Sequence, residues 1–123
     1  MPRILVIEDD VQLRRMLRRA LEMEGYEVLE AADGSKGVSL YREHPTDLVL
    51  IDIFMPNKEG LETIMALKRD FPEVRVLAMS GGGVIGSAAS LDMAKGLGAE
   101  RVYVKPFEVE GFLKDIGELL DNG

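Results

Sequence analysis

The sequence contains no cysteine in its 123 residues. Disulfides, thiolate metal sites and cysteine nucleophiles are therefore excluded, and the composition is compatible with a reducing cytoplasm. No apolar run approaches the length of a membrane span, and the N-terminus has no basic and apolar signal-peptide pattern. We therefore expect a cytoplasmic location with no membrane contact.

Positively charged residues are also fewer than negatively charged ones. The chain has 15 lysines and arginines against 22 aspartates and glutamates, which gives a net charge of -7. This balance disfavours direct nucleic-acid binding by the protein as a whole, although a local basic face could still operate.

Five short apolar runs alternate with five helical patterns, and the sequence contains no linker, repeat or low-complexity segment. We expect residues 1–123 to form one α/β domain, because a chain of this size can bury a full core. Such alternation favours a doubly wound, five-stranded parallel sheet that is covered by helices on both faces. The strands are predicted at about Arg3–Glu8, Tyr26–Glu30, Asp47–Asp52, Val74–Met79 and Arg101–Val104.

Glycine and proline residues indicate where the helices between these strands begin and end. The first helix is predicted to stop at Gly25 and the second to end before Pro45. A loop bearing Pro56 and Gly60 is predicted to precede the third helix, which must close before Pro72.

Acidic residues stand where two of the predicted strands end. Glu8 ends the first strand and Asp9 follows it, and Asp52 ends the third. If these strands are parallel neighbours, the three acids converge at one edge of the sheet, an unfavourable grouping that a protein retains chiefly for a cation or for chemistry. Ser80 and Lys105 follow the fourth and fifth strands and fall at the same edge, where ligands of such folds bind. The alternative is a chance scatter of surface polar residues at strand ends.

These positions also carry a family resemblance. The matching segments are Glu8-Asp9, the run Asp52-Ile53-Phe54-Met55-Pro56 with Gly60, Ser80-Gly81, and Lys105-Pro106-Phe107. Together, and in this order at strand ends, they make the chain similar to a response-regulator receiver domain of two-component signalling over essentially its whole length. The resemblance implies a flavodoxin-like sheet of strand order 2-1-3-4-5.

The resemblance also implies a reaction and a metal. Asp52 would take a phosphoryl group from a phosphohistidine on a sensor histidine kinase or a histidine phosphotransfer protein, in a self-catalysed step and not as a turnover enzyme. Oxygen-only ligands suit Mg²⁺. By resemblance, Asp9 and Asp52 ligate it directly, the backbone carbonyl of Phe54 adds a third ligand, and Glu8 acts mainly through water. Asp10 matches no ligand position of the family, and we interpret it as a helix N-cap.

Two further side chains would act on the phosphoryl group. The Lys105 ammonium would neutralise its oxygens, and the Ser80 hydroxyl would donate a hydrogen bond to one of them. Taken alone, each also has a plain structural interpretation, as a solvated lysine and as a turn residue. The family holds the peptide bond between Lys105 and Pro106 in the cis form, which we expect here.

The implied output is a two-state switch that signals to an unknown downstream protein or to an output domain, the chain being either a stand-alone regulator or part of a longer one. One position departs from the family pattern. The switching aromatic normally lies three residues before the lysine, where this chain has Val102. Tyr103 is one residue later, and strand alternation places it on the opposite face of the sheet.

The residues also bear on three other functions. The glycine run at 81–86 matches a dinucleotide-binding loop, but it follows the fourth strand and not the first. A dehalogenase-type aspartate phosphatase would require an acid two residues after Asp52, where Phe54 stands. A pseudo-receiver that acts only as a binding scaffold would be expected to lack site residues, and none is missing from the sequence.

The first helix carries a basic cluster of Arg14, Arg15, Arg18 and Arg19. A solvated helix face and a docking surface remain open as interpretations. His44 is interpreted as a surface histidine.

Overall fold

The structure, a computed structural model, describes residues 2–53, 59–81, 87–105 and 108–121. Within these ranges strands and helices alternate along the chain. The strands are β1 Arg3–Ile7, β2 Glu27–Ala31, β3 Leu48–Asp52, β4 Val76–Gly81 and β5 Ala99–Lys105. The helices are α1 Val11–Met23, α2 Gly34–Glu43, α3 Glu59–Asp70, α4 Ser87–Gly96 and α5 Val109–Asp121.

The five strands form one sheet in the order β2-β1-β3-β4-β5, and every neighbouring pair is parallel. The predicted fold class and strand order are therefore confirmed. Because β1 and β3 are central neighbours, the carboxyl ends of these strands lie side by side. The chain adds β2 on one side of β1 and the later strands on the other side, so the strand order switches between β1 and β3. Ligands of such sheets bind at this switch point.

Hydrophobic side chains cover the sheet on both faces, as expected when right-handed crossovers distribute helices to both sides. One core joins alternate residues of the strands to α2, α3 and α4, with Ile7, Ile51 and Ile64 among its fully buried members. The other core joins the intervening strand residues to α1 and α5 and includes Leu17 and Phe112. The apolar strand runs predicted from the sequence are thus buried on both sides.

Local signals set several boundaries as predicted. The Asp10 side chain accepts hydrogen bonds from the backbone N–H groups of Gln12 and Leu13, so it caps α1 as expected. Gly25 has a φ of 94°, a left-handed conformation that favours glycine and ends the helix region. In the described part of the chain, no helix combines the length and the hydropathy that crossing a bilayer requires.

Several boundaries differ from the prediction, most of them by one or two residues; β4, for example, extends to Gly81, so Ser80 lies within this strand and does not follow it. Gly60 lies in the first turn of α3 and not in the preceding loop. Strand β4 begins at Val76 instead of Val74, because the Val74 N–H donates to the Phe71 carbonyl and closes the turn after α3. Strand β5 is longer than predicted and begins at Ala99, since its pairing with β4 extends past the apolar residues.

Candidate functional site

Three carboxylates meet at the carboxyl edge of the central strands. Ile7 of β1 pairs with Ile51 of β3, so the residues that follow in each strand lie at the same level of the sheet. One carboxylate oxygen from each of Glu8, Asp9 and Asp52 lies within 4.8 Å of the others. Glu8 and Asp52 are buried, whereas Asp9 is exposed. The predicted convergence of these acids is confirmed.

The donor set fits Mg²⁺. Three carboxylate oxygens supply hard oxygen ligands, and a site with one exposed member leaves room for the waters that Mg²⁺ retains. Without a cation, three like charges at this separation repel one another. The cluster therefore has the oxygen donors that a Mg²⁺ site requires.

Hydrogen bonds fix the turn that carries Glu8 and Asp9. The Glu8 N–H donates to the Ala31 carbonyl of β2 at 3.0 Å, and the Asp10 N–H donates to the Glu8 carboxylate at 3.2 Å. Asp10 in turn caps α1. The acidic turn is therefore anchored on one side to the sheet and on the other to the helix.

Two of the four clustered arginines support this turn from α1. Arg14 donates through Nη1 to the Glu8 carbonyl at 2.9 Å and through Nε to the Glu30 carboxylate at 3.1 Å. Arg18 donates to the other oxygen of Glu30 at 2.6 Å and to Glu22 at 3.2 Å. Arg14 is half-buried, whereas Arg15, Arg18 and Arg19 are exposed. The four arginines therefore do not form one uniform solvated face.

The electrostatics of Glu30 follow from this arrangement. Burial by itself raises the pKa of this carboxyl, but the hydrogen bonds from Arg18 and Arg14, together with their charges, outweigh burial and hold its pKa below the ordinary value. Glu30 is therefore ionised at neutral pH and keeps both guanidinium groups in place.

Ser80 lies at the same edge of the sheet. Asp52 pairs with Met79 of β4, which places Ser80 one residue beyond the level at which β3 ends. The residue is fully buried, and its hydroxyl oxygen has no hydrogen-bond partner within the described ranges. A buried hydroxyl without a partner is unfavourable, so its retention points to a use.

The fifth strand brings the backbone of Lys105 to this edge, where it pairs with Gly81. The backbone alone of Lys105 is described. Several predictions concern residues outside the described ranges: the carbonyl of Phe54, the cis bond to Pro106, and most of the glycine run at 81–86.

Gly60 of α3 lies against the backbone at the end of β3. A Cβ atom added at this position would lie 2.6 Å from the carbonyl oxygen of Asp52 and would also overlap the Cα atom of Ile53. Only glycine allows the first turn of α3 to pass so near the end of β3. Gly60 was identified from the sequence by its place in the family resemblance, whereas the fold shows why this position must be glycine.

Val102, which occupies the position of the family's switching aromatic, and the neighbouring Tyr103 lie on opposite faces of the sheet. Val102 packs against the core that includes α2, α3 and α4, whereas Tyr103 packs against the core that includes α1 and α5. The Tyr103 hydroxyl donates to Asp115 of α5 at 2.8 Å, and its ring meets Phe112 edge to face. Burial, followed by the bond to Asp115, raises the pKa of Tyr103. The prediction that Tyr103 faces the other side of the sheet is confirmed.

Sequence reasoning did not find the roles of Arg14 and Glu30. Arg14 was visible only as one of four arginines, and Glu30 only as the end of a weak strand. The pairing of Glu30 with Val6 across β1 and β2 decides which arginines it meets. His44 is exposed and follows α2, as its interpretation as a surface residue predicts.

Comparison with known proteins identifies a family that agrees with the chemistry of this site. Residues 4–116 match the model of the response regulator receiver domain. The chain belongs to this family and is a receiver domain of two-component response regulators.

Two relatives illustrate the range of lengths in which such domains occur. The chain is 32% identical to the chemotaxis protein CheY of Bacillus subtilis over 120 residues, which cover 97% of this chain and 98% of CheY. It is 36% identical to the DNA-binding dual master transcriptional regulator RpaA of Synechocystis sp., over 98% of this chain but 49% of that protein. The chain thus spans about half the length of the transcriptional regulators that it matches.

A solved structure gives the same result for the fold. The CheY-like receiver domain protein of Methanospirillum hungatei superposes with a TM-score of 0.87 at 28% sequence identity, over 99% of this chain and 95% of that one.

Proposed function

We propose that residues 1–123 act as one receiver domain in which Asp52 accepts the phosphoryl group. The observation that carries this proposal is the convergence of Glu8, Asp9 and Asp52 within 4.8 Å at the switch point of the sheet. Asp52 ends β3 and is buried, so its carboxylate is held by a rigid strand and not by a loop. Such preorganisation is what an in-line phosphoryl transfer requires of its acceptor.

In the proposed reaction, a carboxylate oxygen of Asp52 attacks the phosphorus of a phosphohistidine. The P–N bond breaks, the imidazole nitrogen takes the bonding electron pair, and Asp52 becomes an acyl phosphate. Bound Mg²⁺ would neutralise negative charge on the carboxylates and on the phosphoryl oxygens. Asp9 and Asp52 would hold it directly, with Glu8 acting mainly through water and Phe54 offering its backbone carbonyl.

Ser80 and Lys105 would stabilise the product. Within the described ranges the Ser80 hydroxyl has no partner, and it is poised to donate a hydrogen bond to a phosphoryl oxygen, which would satisfy this buried group. Lys105 ends the neighbouring strand, where its ammonium would offset the phosphoryl charge. Recruitment of Ser80 would couple phosphorylation to the loops after β4 and β5.

The proposed donor is a sensor histidine kinase or a histidine phosphotransfer protein, and the receiver of the signal is a downstream protein or an output domain. We further propose that this domain makes no direct contact with nucleic acid, because its net charge is -7. The DNA binding named for RpaA is a property of that protein, which is about twice as long.

The experiment that tests the proposal is phosphorylation by acetyl phosphate with and without Mg²⁺, followed by intact mass. We expect one phosphoryl group on the wild type in the presence of Mg²⁺, none in EDTA, and none on Asp52→Asn. Asp92→Asn is the matched control, because Asp92 is an exposed acid in α4 and should leave labelling intact. Labelling of Asp52→Asn at another acid would contradict the assignment of the acceptor, and an unlabelled wild type would favour a scaffold that is not phosphorylated.

A further inference from the structure

The peptide bond between Glu8 and Asp9 joins two members of the acidic cluster, and its carbonyl oxygen accepts a hydrogen bond from a side-chain donor. That donor is Nη1 of Arg14, 2.9 Å from the Glu8 oxygen. A rotation of this peptide plane would turn Asp9 relative to Glu8. Arg14 is therefore in contact with the peptide group that links the two acids.

The guanidinium of Arg14 is itself held from the other side. Its Nε donates to Glu30 at 3.1 Å, and the second oxygen of Glu30 accepts from Arg18 at 2.6 Å. The side chains of Arg14 and Glu30 are only 15% and 20% exposed, so this pair is screened less than a surface ion pair. A planar guanidinium with two partners on different edges has little freedom to rotate.

The three contacts join separate elements of the fold. Glu30 belongs to β2 and pairs with Val6 of β1, whereas Arg14 and Arg18 belong to α1. Arg14 thus connects the helix, the neighbouring strand and the acidic turn between β1 and α1.

We propose that Arg14 is a positioning residue for the magnesium site, which acts by fixing the peptide plane between Glu8 and Asp9. The inference rests on the proposed function, since it concerns how the same cluster is held ready for the cation. Arg14 does not touch the phosphoryl group in this role. Glu30 and Arg18 support it by holding the guanidinium in place.

The sign of the effect separates positioning from simple electrostatics. Arg14 is a cation near three carboxylates, so its charge alone opposes the binding of Mg²⁺, and its removal should then tighten binding. If instead Arg14 orients the acidic turn, its removal should weaken binding. The two explanations therefore predict opposite changes in affinity.

The test measures the dissociation constant of Mg²⁺ by calorimetry on the full chain for Arg14→Gln, Arg14→Lys and Arg15→Gln. We expect Arg14→Gln to bind Mg²⁺ about tenfold more weakly, at the lower end of the range for residues that orient metal ligands. Arg14→Lys should also bind more weakly, because one ammonium cannot reproduce the forked contact. Arg15→Gln removes the same charge from an exposed neighbour and should bind as the wild type does, or slightly more tightly.

A second measurement distinguishes this role from a general loss of structure. In labelling with acetyl phosphate, Arg14→Gln should require more Mg²⁺ for half-maximal rate, while the rate at saturating Mg²⁺ stays near that of the wild type. Melting curves in EDTA report whether each variant folds. If Arg14→Gln does not fold, Arg14→Lys decides the question.

Two results overturn the inference on Arg14 alone: unchanged or tighter Mg²⁺ binding by Arg14→Gln when the wild type binds, or wild-type binding by Arg14→Lys. A wild-type chain that neither binds Mg²⁺ nor accepts phosphate overturns the proposed function and this inference together.

Discussion

Replacement of Gly60 by alanine tests whether the close approach of α3 to the end of β3 is required. The added Cβ atom would lie 2.6 Å from the Asp52 carbonyl oxygen and would overlap Ile53 Cα. Both obstacles are backbone atoms, so no side-chain rotation can relieve the overlap. The first turn of α3 must move away from the end of β3, or β3 must shift.

The expected loss of stability follows from two opposing terms. Overpacking of this kind costs typically about 1–3 kcal/mol. Alanine recovers up to about 1 kcal/mol over glycine through its helix propensity, and less in a first turn. We therefore expect Gly60→Ala to lower the free energy of unfolding by roughly 1–2 kcal/mol, which corresponds to a fall in Tm of roughly 4–8 °C for a domain of this size.

The assay is thermal unfolding of Gly60→Ala beside Gly111→Ala. Gly111 is also a helical glycine, in α5, but a Cβ atom added there meets nothing within 4 Å. We expect this control to be neutral or slightly more stable than the wild type. Labelling by acetyl phosphate should also slow in Gly60→Ala, because the overlap falls on the strand end that carries Asp52. Equal melting temperatures for the two variants would refute the reasoning.

Three further predictions concern the site and the switch. Millimolar Mg²⁺ should raise the Tm of the wild type by mass action, and Asp9→Ala should diminish the shift; an unchanged melting curve for the wild type would count against an assembled site. Tyr103→Phe should lower the free energy of unfolding by about 1 kcal/mol, because the hydrogen bond to Asp115 is lost. The changes in backbone amide NMR shifts on phosphorylation should be the same in this variant as in the wild type; their loss would mean that Tyr103 is part of the switch. If family resemblance holds at Phe54 and Gly82, these residues would flank the path of the hydrolytic water, and neither offers a side-chain hydrogen bond to orient that water, so the acyl phosphate should be long-lived. Phe54→Asn and Gly82→Glu should therefore shorten the lifetime of the phosphorylated form, and no acceleration in either variant would contradict this explanation.

Much of the fold was predictable because it depends on local chemistry. Apolar runs with helical patterns between them require a parallel sheet, and such a sheet buries both faces. The cap at Asp10 and the left-handed Gly25 follow from the conformations that these residues favour. Boundaries were less predictable, because β4 and β5 end where their pairing ends and not where their apolar residues end.

The acids of the site were predictable for the same reason. Carboxyl ends of parallel strands share one edge, so Glu8, Asp9 and Asp52 converge once β1 and β3 are neighbours. The opposite orientation of Val102 and Tyr103 follows from the alternation of side chains along β5. These inferences need only the period of a strand and the direction of the chain.

The sequence alone thus determined the class of fold, the residues at its functional edge and the chemistry that oxygen ligands favour. Only the tertiary structure decided how that edge is held. The contact of Arg14 with the Glu8 carbonyl depends on the rotation of α1 and on the register of β2, because Glu30 can hold the guanidinium only from its place beside Val6. The requirement for Gly60 and the burial of Ser80 are likewise set by elements distant in sequence. The periodicity of a strand or helix determines on which face a side chain lies, but packing between elements decides which partner it contacts there.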